Sequence, residues 1–203
     1  MRYVIIGAGM AGMLAAIKLL EKGCRNLAVY EKGHTVGGTW RENTYPGLTC
    51  DVPSHSYTYS FELNPSWTRT QPPGPEVQAY FEGVKEKYGL KDWIRFNEEV
   101  VSCVFQKSRW QLKTASGVRD IADVVIAATG VLHHPCYPDI PGTDEFEGAI
   151  FHSAKWDHSV PLDGKRIAII GTGSTGVQLV SALSARASEL THFQRTPQWI
   201  MPV

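Results

Sequence analysis

Val4-Ile5-Ile6-Gly7-Ala8-Gly9-Met10-Ala11-Gly12 is the stretch that decides how this chain begins to fold. A short apolar run ending at a glycine predicts a strand buried on both faces of a parallel sheet. The glycines that follow have the G-x-G-x-x-G spacing. The first permits a tight turn, the second lets a pyrophosphate approach the backbone, and the third lets the next helix pack closely on the strand. Outward from this loop, Met10 to Lys22 predicts that helix, with Met13, Ile17 and Leu20 at helical spacing and Gly23 closing it. Leu27-Ala28-Val29-Tyr30 predicts a second strand, and Glu31 after it is placed to accept hydrogen bonds from a ribose of an adenosine half. The helix N-terminus offers unpaired N–H groups and a partial positive charge to phosphates.

The pattern then recurs. Arg166-Ile167-Ala168-Ile169-Ile170 predicts a strand running into Gly171-Thr172-Gly173-Ser174-Thr175-Gly176, Val177 to Leu183 begins a helix, and Leu190 to Gln194 predicts a strand. This internal repeat implies two dinucleotide-binding units. Arg195 follows Gly171 by as many positions as Glu31 follows Gly7, so the count puts an acid and a base at one topological site. A carboxylate repels a 2′-phosphate, whereas a guanidinium pairs with it bidentately. The expectation is NADPH in the second unit, with Thr196 adding a hydroxyl, and a cofactor with a free ribose hydroxyl in the first. Candidate cofactor contacts are Gly7, Gly9, Gly12 and Glu31, then Gly171, Gly173, Ser174, Thr175, Gly176, Arg195 and Thr196. Two such sites in series describe a flavoprotein that takes hydride from NADPH.

Between the repeats the reading is coarser. Residues 33–75 are rich in Gly, Pro, Thr, Ser and aromatics without a sustained period, as expected of a functional or ligand-wrapped loop. Pro75 to Tyr88 predicts a helix ended by Gly89. Val100 to Phe105 and Trp110 to Thr114 predict an antiparallel pair, and Val124 to Ala128 another buried parallel strand. Ile167, Ile169 and Ile170 suit a strand buried within a full sheet, of which some neighbouring strands are expected to be missing here. The expected fold is α/β: tandem Rossmann-like units with a three-layer, mostly parallel sheet and a small antiparallel insertion. The expected division is an FAD-binding unit over 1–135, a connector over 136–162 and an incomplete NADPH-binding unit over 163–203.

Composition narrows the function classes. With 20 basic and 20 acidic residues the formal net charge is zero, which gives no electrostatic reason to expect nucleic acid or an anionic membrane as partner. Tyr3 to Leu20 is apolar, but three glycines and Lys18 interrupt it, so a buried strand and helix explain it better than a leader or an anchor. Cys24, Cys50, Cys103 and Cys136 contain no C-x-x-C pair and read as reduced thiols of a cytosolic protein. His133-His134-Pro135-Cys136 lacks a fourth ligand at a fitting spacing, so no metal site is expected. No nucleophile elbow for a Ser/His/Asp arrangement is present.

Two further segments carry a family resemblance. Gly37-Gly38-Thr39-Trp40, Tyr45-Pro46-Gly47 and Asp51 form one signature. Phe146, Gly148, His152 and Trp156-Asp157 form another. Together with the two glycine loops they resemble the type I Baeyer–Villiger monooxygenases over nearly the whole chain. Flavin-containing N/S-monooxygenases look similar but typically carry tyrosine where Trp156 stands. The resemblance implies FAD and NADPH as cofactors, a ketone and O2 as substrates, and oxygen insertion through a C4a-peroxyflavin to give an ester or lactone. It places Gly38, Thr39 and Trp40 beside the flavin, with Trp40 as a flat apolar wall. It makes Asp51 the candidate of the catalytic environment, and lets His152 and Trp156 couple cofactor binding to domain motion. The family's peroxyflavin-stabilising arginine has no counterpart by motif here, so the expectation is a fragment or one half of an enzyme that a C-terminal polypeptide complements. A non-catalytic nucleotide-binding fragment is the alternative. A disulfide reductase is set aside, because Trp40 stands where its cysteine pair belongs and Cys50 has no partner nearby.

Overall fold

The computed structural model of the chain describes residues 1–200. The last three positions of the expected 163–203 unit lie outside the described residues. Two compact units are present. One comprises Met1–Glu42, Thr58–Pro65 and Pro75–His133, and the other Asn43–Tyr57, Ser66–Gly74 and the chain from His134 onward.

In the first unit, β1 (Tyr3–Ile6), α1 (Met10–Glu21) and β2 (Leu27–Tyr30) form the expected opening. α2 (Thr39–Glu42) and α3 (Gly74–Lys87) follow. Next come β3 (Ile94–Arg95), β4 (Val100–Gln106), β5 (Arg109–Thr114), β6 (Arg119–Ala122) and β7 (Val124–Ala127). The parallel sheet has the order β3-β2-β1-β7, so β1 is flanked on both sides. Val4 and Ile5 are both fully buried because successive side chains enter opposite faces. Val4, Ala28 and Tyr30 pack with Leu112 and Ala122 of the antiparallel strands. α1, carrying buried Met13, Ala16 and Ile17, covers the face that Ile5 enters.

The insertion differs from the expected pair: it is a three-stranded meander, β4-β5-β6. Arg119-Asp120-Ile121-Ala122 presents only two apolar residues, too few to show alternation. Asp120 is nonetheless fixed, accepting two hydrogen bonds from Arg2 at 2.9 and 2.6 Å and one from Tyr30 at 2.8 Å. β3, only two residues long, had no sequence signal. The stretch 33–75 is also less featureless than its composition suggests, since it holds α2 and a 3-10 turn at Ser54–Ser56.

The second unit contains β8 (Arg166–Ile170), α4 (Ser174–Leu183) and β9 (Glu189–Phe193). Here β8 pairs with β9 alone among the described residues. On this strand, with one neighbour among the described residues, Ile169 is buried and Ile170 is 60 % exposed. Ile169, Leu179, Leu183 and Tyr45 form the core of this unit, with Trp156 packed against it. No helix of the described residues is long and apolar enough to cross a membrane.

Candidate functional site: two glycine loops

Each loop is built from the strand before it and the helix after it. Gly7 N–H donates to Tyr30 C=O at 2.8 Å, and Gly171 N–H donates to Phe193 C=O at 3.0 Å, so both loops leave their sheets in the same way. The first glycines share a left-handed backbone, with φ +101° at Gly7 and +112° at Gly171. At the third glycine a Cβ would lie 1.9 Å from Gly7 O in one unit and 2.2 Å from Gly171 O in the other. Only glycine lets these helices start so close to their strands. The first intrahelical bonds are Met13 N–H to Gly9 C=O and Val177 N–H to Gly173 C=O. The N–H groups ahead of them have no intrahelical acceptor, and neither helix carries an acid in its first turn.

Glu31 is 4 % exposed at the end of β2. One carboxylate oxygen accepts Ala8 N–H at 2.7 Å; the other accepts Gly33 N–H at 2.7 Å and the Arg41 guanidinium at 2.8 Å. Arg41 in turn donates to Thr35 C=O at 2.6 Å and Glu42 at 2.8 Å, and Glu42 meets His133 Nδ1 at 2.8 Å. A carboxylate has about four acceptor positions, so Glu31 keeps roughly one for a ligand. Arg41 was missed in the sequence because nothing local links it to Glu31. Gly38 backs onto the first loop, where a Cβ on it would come 3.2 Å from Gly9 Cα. Gly37 N–H also donates to Ala8 C=O at 3.1 Å. Thr39 is exposed and Trp40 half-buried at the start of α2.

In the second unit the strand register corrects the residue count. Ile6 pairs with Tyr30, whereas Ile170 pairs with Phe193. The chain from β8 to β9 is one residue shorter than from β1 to β2. Gln194 therefore stands where Glu31 stands, and Arg195 comes one position later, exposed on the bend that follows β9. An acid is replaced by a neutral amide with a base beside it. Thr196 presents its carbonyl to Thr172 Oγ1 at 3.1 Å.

Asp51 is exposed, and its carboxylate accepts the Ser174 hydroxyl at 2.9 Å. The segment leading to it is held by Gln178. That side chain accepts from Tyr45 OH at 2.8 Å and from Thr49 N–H at 3.3 Å, and donates to Thr49 C=O at 3.0 Å. Gly47 lies so near α4 that a Cβ would meet Ala182 Cβ at 2.7 Å and Gln178 O at 2.8 Å. Burial pushes the Tyr45 phenol upward, while its contact with Thr175 works against this.

His152 caps a short turn, its Nδ1 accepting Ala154 N–H at 3.1 Å, which puts the proton of the neutral ring on Nε2. Trp156 stands edge-on to Phe151 at 5.0 Å between ring centroids. All four cysteines are unpaired, and among the described residues no cluster of His, Cys, Asp or Glu is arranged to hold a metal.

Comparison with known proteins agrees with these features. The model of the family described as pyridine nucleotide-disulphide oxidoreductase matches residues 4–202. An uncharacterized monooxygenase of Mycobacterium tuberculosis is 57 % identical over 198 residues, which are 98 % of this chain and 40 % of that protein. A Baeyer–Villiger monooxygenase of Streptomyces coelicolor is 46 % identical over 203 residues, covering 99 % of this chain and 39 % of its own length. Among solved structures, a cyclohexanone monooxygenase from Rhodococcus sp. Phi1 bound to NADP+ superposes with a TM-score of 0.91 at 38 % identity, covering 100 % of this chain and 39 % of that one. This chain thus spans about 40 % of the length of the curated relatives it matches. The chain belongs to the pyridine nucleotide-disulphide oxidoreductase family and, within it, matches the N-terminal portion of the Baeyer–Villiger monooxygenases.

Proposed function

We propose that this chain carries the FAD and NADPH sites of a Baeyer–Villiger-type monooxygenase, which inserts an oxygen atom next to the carbonyl of a small ketone. The observation that carries the reading is the pair of like-built glycine loops with unlike tags: buried Glu31 after one, Gln194-Arg195 after the other. The residues fit such cofactors. The loop backbones are glycine where a side chain would collide, and the helix N-termini carry no acid in their first turns.

In this reading Gly7, Gly9, Gly12 and Glu31 hold the adenosine and phosphates of FAD, and Gly38, Thr39 and Trp40 border the flavin. Gly171, Gly173, Ser174, Thr175 and Gly176 receive the NADPH phosphates, with Arg195 and Thr196 on the 2′-phosphate. Asp51 belongs to the catalytic environment. The functional division into 1–135, 136–162 and 163–203 follows the nucleotide loops rather than the packing, because Asn43–Tyr57 clusters with α4. When bound, FAD reduced by NADPH supplies the activation of O2, and the protein's part is orientation, exclusion of water and electrostatic support. The unpaired cysteines support a cytosolic setting.

The test is the visible spectrum of the purified chain after FAD addition and gel filtration. Retained flavin with a shifted, structured band is the expected result, followed by anaerobic bleaching with NADPH. A flavin-free protein peak removes the cofactor assignment.

A further inference from the structure

Ser174 and Gln178 stand four residues apart on α4, so both side chains lie on one helix face. Each holds one part of the segment that ends in Asp51. Gln178 clamps Tyr45 and both backbone groups of Thr49, and Ser174 holds the Asp51 carboxylate itself at 2.9 Å. Gly47 fixes the approach between these anchor points, since no larger residue fits against Ala182 and the Gln178 carbonyl. An acid from a distant part of the sequence therefore sits at the N-terminus of a ten-residue helix that has none of its own in the first turn.

That position has a physical consequence. The same N-terminus, with its unpaired N–H groups and partial positive charge, is where the second loop offers a place to a pyrophosphate. Ser174 follows the second glycine of that loop directly. A carboxylate bonded to its hydroxyl opposes an anion arriving there and takes up a hydroxyl that the anion can use.

We propose that Ser174 and Gln178 are positioning residues that hold Asp51 against the α4 N-terminus, where its carboxylate and the phosphates of a dinucleotide are mutually exclusive occupants. This rests on the NADPH reading of the second loop and adds a consequence to it. Binding of the nucleotide displaces the carboxylate from Ser174, so Asp51 takes up its place in the catalytic environment only once the second cofactor has arrived. The clamp at Gln178 keeps the displaced residue close to the loop.

The experiment is calorimetric titration of the 203-residue chain with NADP+ at low and high salt, using Asp51→Asn, Gln178→Leu and the double variant. Asp51→Asn keeps the shape and removes the charge. It is expected to tighten NADP+ by roughly two- to fivefold at low salt, with the gain shrinking at high salt because the group is exposed. In the Gln178→Leu background, where Asp51 is no longer clamped, the same change is expected to give less than about half that gain. Circular dichroism melts confirm that each variant is folded. Equal or weaker binding by Asp51→Asn overturns the proposal while leaving the nucleotide site standing. An undiminished gain in the Gln178→Leu background overturns the positioning role. Absence of NADP+ binding by every folded variant and the parent overturns the nucleotide reading itself, and the proposal with it.

Discussion

The two glycine loops have nearly the same internal geometry and very different surroundings. At Gly7 a Cβ would lie 2.4 Å from the carbonyl of Ala128, just past β7, and at Gly171 a Cβ would meet nothing within 4 Å. β1 has a neighbour on each side, whereas β8 has β9 alone among the described residues. After the first loop a buried carboxylate is tied to two backbone N–H groups and an arginine. After the second, a neutral amide and an exposed arginine face outward. Loop shape is thus a local property, fixed by glycine spacing and backbone conformation. The surroundings of the loop depend on which strands lie beside it. The first tag is tied into the structure of its own unit, and the second is exposed.

If that contrast is right, the largest effect comes from Glu31. Removing it by Glu31→Ala orphans the Ala8 and Gly33 N–H groups and leaves the Arg41 guanidinium, 10 % exposed, without its main partner. A loss of about 3–5 kcal/mol of unfolding free energy is expected in urea denaturation. Arg195→Ala should leave the midpoint unchanged within error.

Next in size is the pair Gly7→Ala and Gly171→Ala. Both force a left-handed backbone on alanine, at about 1–2 kcal/mol. Gly7→Ala also collides with Ala128, adding roughly 1–3 kcal/mol. Equal midpoint shifts for the two would contradict the difference in surroundings.

A smaller effect separates Asp120 from Asp163. Burial raises the Asp120 carboxyl, but the hydrogen bonds from Arg2 and Tyr30 outweigh it and hold it below the usual carboxylate range. A depressed folded pKa contributes stability that is present above the unfolded value of about 4 and is lost as pH falls through the folded value. Asp120→Asn is expected to cost about 1–2 kcal/mol at neutral pH and to flatten the acid limb of the stability curve below about pH 4. Asp163, paired with Arg186 on the surface, is also lowered, but Asp163→Asn should leave that limb as it was. The Tyr30 phenol, raised to about 12 by burial and by its bond to Asp120, stays protonated throughout this range.

The features legible in the sequence were those determined within a few residues. Val4-Ile5-Ile6 before a glycine, and the helical spacing of Met13 and Ile17, are local signals, and the repeat made them recognisable a second time. β3 and β6 were not legible, because two residues carry no period and Arg119-Asp120 is held in the meander by Arg2 from the other end of the unit. The Arg41–Glu31 pair and the Gln178 clamp on Thr49 depend on approaches that only the folded chain creates. The count from Gly171 to Arg195 misled for a different reason. The chain from the end of β8 to the end of β9 is one residue shorter than its counterpart in the first unit, and only the strand register reveals that Gln194 takes the place of Glu31.

The central claim is that the residues after β9 select the phosphorylated dinucleotide while Glu31 serves the other loop. The most direct test is equilibrium binding of NADP+ and NAD+ to the FAD-loaded chain, in the parent and in Arg195→Ala. Preference for NADP+ by at least tenfold in the parent, reduced to near parity in Arg195→Ala with NAD+ affinity unchanged, is the expected result, worth about 1.4 kcal/mol or more. Equal affinity for the two nucleotides in the parent, or a preference that survives removal of Arg195, would contradict the account.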